Sequence, residues 1–271
     1  MTVAALLAGS GLPASEARAL LALLLQRPRE YVLAHPEIAV DAALGVRFDA
    51  LAGARRDGVP LAYLLGEREF YGRSFRVTPA VLVPRPETEL LVECGLECLS
   101  GISAATGLAP RVLDLGTGSG CIAISLALER PAAQVVAVDR SSAALDVARH
   151  NANALGARVE FLLGDWYAAV TGQFDLIVAN PPYVAPGDPH LHALRHEPSA
   201  ALVAADAGLA DLRSIVTGAV RHLAPGGWLA VEHGHDQAAA VRELFAAQGF
   251  EDIASVRDLQ GIERVVRGRM C

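Results

Sequence analysis

The chain changes its hydrophobic rhythm twice. Up to about residue 60 the apolar positions recur at helical spacing. Ala17, Leu20, Leu21 and Leu24 fall at i, i+3, i+4 and i+7, the stripe that buries one face of an amphipathic helix. Ser15 stands ahead of them as a candidate N-cap, Pro28 and Pro36 punctuate the next stretch, and Phe48-Asp49-Ala50-Leu51 runs into a further helical turn. Residues 1–66 are therefore expected to form a small helical domain. It carries no chemical motif, which leaves packing or substrate docking as its role. After residue 63 the period shortens. Glu69-Phe70-Tyr71-Gly72 and Phe75-Arg76-Val77 are aromatic and β-branched around a glycine, the pattern of a hairpin. Val81-Leu82-Val83 then meets Pro84-Arg85-Pro86-Glu87-Thr88-Glu89. The prolines end extended structure, and Glu87 or Thr88 can cap the helix that begins with Leu90-Leu91-Val92. With the low-complexity stretch Ser100 to Gly107, residues 67–108 read as a hairpin and a linker helix.

Residues 109–271 alternate between the two periods. Short buried strands are expected at Val112–Leu115, Val135–Val138, Val159–Leu162, Leu176–Ala179 and Trp228–Val231. Helices are expected at Ser119 to Arg130, Ser142 to Leu155, Leu209 to Leu223 and Gln237 to Ala247. Ile253–Val256 and Arg264–Val266 close the chain as a hairpin around Leu259-Gln260-Gly261. Alternation of this kind means an α/β domain with a seven-stranded, mostly parallel, Rossmann-like sheet covered by helices on both faces. The closing hairpin adds one antiparallel strand.

Composition narrows the function classes. A hydrophobic fraction of 52% with 20% charged residues supports a buried core and argues against long disorder. The longest apolar run, Ala19 to Leu25, is too short to span a membrane, and the expected setting is the cytoplasm. A net charge of -7 disfavours a broad nucleic-acid surface. Every basic residue is arginine, so lysine-based catalysis has no candidate. Cys94 and Cys98 are at helical i,i+4 spacing, not that of a redox or zinc site, and Cys121 and Cys271 stand alone. The pairs His190/His192 and His233/His235 lack neighbours that would complete a metal shell, and no metal is expected.

The first chemistry lies in Asp114-Leu115-Gly116-Thr117-Gly118-Ser119-Gly120, which joins the first strand of the sheet to its first helix. Alternate glycines turn the backbone tightly and bring it close to a ligand, at the strand ends where open α/β sheets bind. A dinucleotide site would carry its third glycine at position 121, which is Cys121. Without a pyrophosphate to hold, the loop suits an amino-acid moiety such as the methionine part of S-adenosylmethionine (SAM). Asp139, after the second strand, can accept ribose hydroxyls. Asp165-Trp166, after the third, can bond the adenine amine and stack on its ring.

The second lies at Asn180-Pro181-Pro182-Tyr183, ending the fourth strand. Two prolines fix φ and remove two N–H donors, so acceptors remain: the Asn180 side-chain oxygen and the Pro181 carbonyl. Together they complement an NH2 group, and the Tyr183 ring can pack on a planar one. Adenine N6, guanine N2 and a glutamine amide all fit.

These segments resemble the PrmC (HemK) family of glutamine N5-methyltransferases. The likeness runs through Pro60-Leu61-Ala62-Tyr63-Leu64-Leu65-Gly66, Glu69-Phe70-Tyr71-Gly72, Val83-Pro84-Arg85-Pro86-Glu87-Thr88-Glu89, Asp114 to Gly120 and Ala179 to Tyr183. It continues through Glu197-Pro198, Gly208-Leu209, Pro225-Gly226-Gly227 and Glu232-His233-Gly234. The resemblance implies a class I SAM-dependent fold and methylation of the glutamine in the Gly-Gly-Gln motif of class 1 peptide-chain release factors. By position, Gly116, Thr117, Gly118, Ser119, Gly120, Asp139, Trp166 and Asn180 would hold SAM. Asn180, Pro181, Pro182 and Tyr183 would hold the glutamine, with Asn180 and Tyr183 catalytic. The Arg85–Glu89 turn is read either as lining the site or as an interdomain hinge. Alternatives from the same site are a ribosomal-protein glutamine methyltransferase and a nucleic-acid N6-adenine methyltransferase. A SAM-binding protein without turnover is a third, although it would not need the Asn-Pro-Pro-Tyr segment.

Overall fold

The computed structural model describes residues 1–106 and 109–271, so Gly107, the end of the expected low-complexity stretch, lies outside the described residues. The chain divides into two units, Met1–Arg68 and Glu69–Cys271.

The first unit contains α1 (Val3–Gly9), α2 (Ala14–Leu25), α3 (Arg29–Ala34), α4 (Ala42–Arg56) and α5 (Leu61–Leu65). Ala17, Leu20 and Leu21 are fully buried against Phe48 and Ala52, as the helical stripe requires. Thr2 and Asp41 cap α1 and α4 by accepting from the N–H groups of Ala5 and Leu44. Ser15 does not cap α2. That position is taken by Pro13, and Ser15 lies inside the first turn. Arg55 forms a two-pronged ion pair with Glu16, at 2.7 and 3.0 Å, joining α4 to the start of α2.

The strands β1 (Glu67–Phe70) and β2 (Arg73–Arg76) pair as a two-stranded hairpin. Tyr71 and Gly72 both take positive φ, 51° and 70°, as a two-residue hairpin turn requires. For tyrosine this is a costly conformation. It is held by the Glu89 carboxylate, which accepts from the Tyr71 N–H at 2.9 Å.

The second unit continues through a 3-10 turn, Pro86–Thr88, into α6 (Glu89–Thr106). Proline fits the first turn of a helix because its missing N–H would have had no partner there. Next come β3 (Arg111–Leu115), α7 (Cys121–Glu129), β4 (Gln134–Asp139), α8 (Ser142–Leu155), β5 (Val159–Leu163) and β6 (Phe174–Ala179). The chain ends with α9 (Ala210–His222), β7 (Leu223–Glu232), α10 (Ala238–Ala247), β8 (Glu251–Arg257) and β9 (Glu263–Arg269). The seven strands lie in the order β5-β4-β3-β6-β7-β9-β8. β9 runs antiparallel to both of its neighbours, and β3 to β7 pair in parallel.

Residues alternate between the two faces as the pleat dictates. Val112, Leu176 and Val178 pack with α6 and α7 in one apolar layer, whereas Leu113, Leu115 and Ile177 pack with α9 and α10 in the other. Several boundaries differ from the sequence pattern, and two have a clear backbone cause. α7 starts at Cys121 rather than Ser119, because Gly116, Gly118 and Gly120 take left-handed φ of 73°, 55° and 83° and no helix can run through them. β7 starts at Leu223 rather than Trp228. Pro225-Gly226-Gly227 is carried inside the strand by a register shift against β6, the usual sign of a bulge. Cys94, Cys98 and Cys121 are free thiols inside the protein, and Cys271 is a free thiol on the surface. Among the described residues, no helix is long and apolar enough to cross a membrane.

Candidate active site

β3 has β4 on one side and β6 on the other, so the crossover direction reverses at its carboxyl end. This is where an open parallel sheet leaves a crevice. Leu115 and Ala179, the last residues of β3 and β6, are register partners, so Gly116 and Asn180 leave the sheet side by side.

The glycine loop is built around its missing side chains. A Cβ at Gly116 would press on the Trp166 ring at 3.2 Å, and one at Gly120 would overlap the Ile124 side chain at 2.8 Å. At Gly118 it would meet no atom within 4 Å, so there the bare backbone borders open space. The N–H groups of Gly116 and Thr117 donate to the Val138 carbonyl at 2.9 and 3.0 Å. Asp139 ties down the same loop: Oδ2 accepts from Gly118 N–H and Oδ1 from Ser141 N–H, both at 2.9 Å. The cap of α8 is Ser141, whose hydroxyl accepts from Ala144. Asp139 is therefore not consumed as a helix cap, and each oxygen keeps a lone pair. Behind the loop, Asp114 Oδ2 accepts from Thr117 Oγ1 at 2.6 Å and Ala123 N–H at 3.2 Å, while its buried Oδ1 has no partner among the described residues. Burial pushes the Asp114 carboxyl up to about 7, against those two hydrogen bonds.

One cavity brings most of the expected residues together. Gly116, Thr117, Gly118, Ser119, Asp139, Asp165, Trp166, Asn180 and Pro182 all line it. Gly120, Pro181 and Tyr183 do not. Gly120 is the N-cap position of α7, and Pro181 is buried. The Tyr183 hydroxyl donates to Glu232 Oε1 at 3.2 Å. Asn180 Nδ2 donates to Thr88 Oγ1 at 3.1 Å. Thr88 therefore serves the site rather than capping α6, and among the described residues nothing donates to Asn180 Oδ1 or to the Pro181 carbonyl.

Several lining or supporting residues lie outside the set of site residues that the sequence assigned a role. Asp211, in the first turn of α9, lines the cavity, and burial raises its carboxyl against the lowering influence of Arg140 and Trp166. Arg85 and Thr88 line the cavity too, which places the Arg85–Glu89 turn at the site. Glu197 pins that segment from a distant part of the chain, accepting from Val83 N–H at 3.0 Å and from the Arg85 guanidinium. Gln237 Nε2 donates to the Tyr183 carbonyl at 3.1 Å and holds the end of the tetrapeptide. Buried Asn151 joins β2 to the glycine loop, accepting from Arg76 N–H and donating to the Arg76 and Ser119 carbonyls. Glu197 and Glu232 stood in recognisable motifs, but their partners lie more than forty residues away in the chain, and no local pattern reveals such pairs.

Strand order, glycine loop and crevice define a class I SAM-dependent methyltransferase fold. Residues 91–203 match the family model described as the methyltransferase small domain, and residues 2–66 match the PrmC N-terminal domain. A solved T. Thermophilus 16S rRNA methyltransferase (RsmC), in complex with AdoMet and guanosine, superposes with a TM-score of 0.55 at 23% identity. That match covers 76% of this chain and 50% of the other. The chain belongs to the release factor glutamine methyltransferase family. It is 50% identical to the Burkholderia pseudomallei protein of that name, over 99% of this chain and 96% of the relative. With the Bordetella pertussis protein it shares 52% identity over 97% of each.

Proposed function

We propose that this enzyme transfers the methyl group of SAM to the side-chain amide N5 of the glutamine in the Gly-Gly-Gln motif of class 1 peptide-chain release factors. The observation that carries the chemistry is the orientation of Asn180. Its Nδ2 is engaged by Thr88 Oγ1, so Oδ1 is left as an acceptor beside the glycine loop. The choice of a release-factor glutamine rests on relatives of that name at about half identity over nearly the whole chain.

The residues fit the cofactor. The bare backbone at Gly118 borders open space, with no atom within 4 Å of where a Cβ would stand, which suits the amino-acid end of SAM. Asp139 keeps lone pairs for ribose hydroxyls, and Asp165 and Trp166 line the same cavity where the adenine belongs. Bound SAM supplies a sulfonium-activated methyl group. The chain's own part is positioning. Asn180 Oδ1 and the Pro181 carbonyl accept the two N–H groups of the amide, aim its nitrogen and favour the positive charge that builds on it during attack. The amide proton leaves after transfer, so no strong base is needed. Tyr183 cannot act as one, because burial and the adjacent Glu232 push its phenol up and keep it protonated. Its contribution is to anchor the tetrapeptide through Glu232, and Pro182 forms part of the wall. The helical unit is assigned the docking of the release factor, and the cytoplasm is the compartment in which both would meet.

The test is methyl transfer from labelled SAM to a purified class 1 release factor. Label should appear on the wild-type factor and vanish when the Gly-Gly-Gln glutamine is replaced. Label found instead on DNA, rRNA or a ribosomal protein would overturn the assignment. Asn180→Ala should retain SAM binding while turnover falls by about a hundredfold, the usual size of losing one positioned polar contact to a transition state.

A further inference from the structure

We propose that Asn151 and Glu197 are positioning residues that clamp the segment 77–85 along the cavity, Asn151 to the cofactor loop and Glu197 to the chain that follows the acceptor tetrapeptide. This rests on the methyl-transfer reading above and extends it to the wall that the two subsites share.

Residues 77–85 lie between β2 and the 3-10 turn and belong to no helix or strand. Even so, Ala80, Val81, Leu82, Pro84 and Arg85 all line the cavity. A wall without a ladder of backbone hydrogen bonds needs other anchors, because irregular segments are otherwise the least rigid part of a fold. A turn at Thr78 shapes its first half. Val81 N–H donates to the Thr78 carbonyl at 3.1 Å, and Ala80 N–H donates to Thr78 Oγ1 at 3.3 Å. The two ends are held by side chains from elsewhere in the chain.

At the first end, Asn151 of α8 takes the place of a neighbouring strand. Its Oδ1 accepts from Arg76 N–H at 2.8 Å, and Nδ2 donates to the Arg76 carbonyl at 3.0 Å and to the Ser119 carbonyl at 2.9 Å. Asn151 is 2% exposed, and its oxygen and both of its N–H hydrogens are engaged. A flipped carboxamide would set NH2 against N–H and oxygen against two carbonyls, so one orientation fits. Ser119 belongs to the glycine loop and lines the cavity. One side chain therefore fixes the cofactor loop and the wall against each other.

At the far end, Glu197 Oε2 accepts from Val83 N–H at 3.0 Å and Oε1 accepts from the Arg85 guanidinium. The Glu197 side chain is 3% exposed, and Arg85 supplies the partner that a buried charge needs. Glu197 lies in the stretch after Tyr183, which Val184 and Val203 close by pairing. Three residues beyond Arg85, Thr88 Oγ1 accepts from Asn180 Nδ2. This end serves the acceptor subsite, and neither Glu197 contact involves the glycine loop. Asn151 thus acts on both subsites and Glu197 on one.

That asymmetry is measurable. Asn151→Ala should raise both the Kd for SAM and the KM for the release factor by about tenfold, the usual scale for leaving buried backbone groups unpaired. Asn151→Asp keeps an acceptor for Arg76 N–H but turns an oxygen toward two carbonyls, and should bind SAM no better than Asn151→Ala. Should Asn151→Ala not fold, Asn151→Asp, of nearly native shape, carries the same comparison. Glu197→Ala should raise the acceptor KM by about tenfold, with the Kd for SAM, read by calorimetry, within about threefold of wild type. Both clamps hold one segment, so the double variant should raise KM by less than the product of the single effects.

Wild-type SAM binding by Asn151→Asp would overturn the clamp on the cofactor loop. A Kd for SAM raised as far by Glu197→Ala as by Asn151→Ala would overturn the division between the two ends. Lower thermal midpoints with Kd and KM unchanged would reduce both residues to structural support. The expected SAM constants in an enzyme that methylates no release factor would instead overturn the substrate assignment and leave the clamp on the cofactor loop standing.

Discussion

Asp114 is fully buried beneath the glycine loop, with one oxygen hydrogen-bonded twice and the other, among the described residues, not at all. Desolvation raises its carboxyl to about 7, and Glu232 reaches about 7 for the same reason. The folded chain therefore holds protons on these two groups that the unfolded chain, with ordinary carboxyls near pH 4, has already released. Their favourable contribution is complete below about pH 4 and is lost as the pH rises through about 7. Thermal unfolding should show the wild-type midpoint falling between about pH 5 and pH 8 more steeply than that of Asp114→Asn, which has no such proton to lose. Parallel curves for the two proteins would remove Asp114 as the source. At this scale the sequence was informative about types and silent about states. Gly116, Asp139 and Asn180 were legible because each needs a particular residue at a strand end. That Asp114 holds a proton near neutrality, or that Tyr183 turns its hydroxyl to Glu232, depends on burial by elements far away in the chain.

The acceptor segment is as well placed as the elements that brace it. Gly208 has φ +87°, and a Cβ there would come 2.1 Å from the Tyr183 carbonyl oxygen. Gln237 Nε2 donates to that carbonyl and to the Ala207 carbonyl, and Gln237 Oε1 accepts from Gly234 N–H. Gly208→Ala must therefore displace the end of the tetrapeptide as well as adopt a strained backbone. It should destabilise the enzyme by about 2 kcal/mol or more, read by chemical denaturation, and raise KM for the release factor more than for SAM. An unchanged KM for the acceptor would mean that the segment is not held from this side. Element types were legible from the change between periods of 3.6 and 2. Their ends were not. The start of α7 is set by three left-handed glycines, and the start of β7 by a register shift that hides a proline and two glycines inside a strand.

Across the whole molecule, the sheet carries two apolar layers whose members alternate along β3 and β6. That alternation makes the layered α/β architecture readable in the sequence alone. The strand order is less so, since β9 enters between β7 and β8 rather than adding to an edge. Removing residues 263–271 would strip β7 of its outer neighbour and β8 of the strand it pairs with. Such a truncated chain should lose cooperative unfolding and SAM binding together. Retention of both would show that β8 can pair directly with β7.

The placement of β9 also has a consequence in time. β7 is made before β9, and among the described residues β8 has no sheet neighbour but β9. A chain growing from its N-terminus can assemble β3 to β7 first, but β7 then presents a bare edge until residues 263–269 emerge. Open edges of this kind invite pairing with other chains, and pairings distant in sequence form slowly. The slow, aggregation-prone step of folding should therefore be the insertion of β9, and substitutions along it should change the yield of soluble protein before they change catalysis.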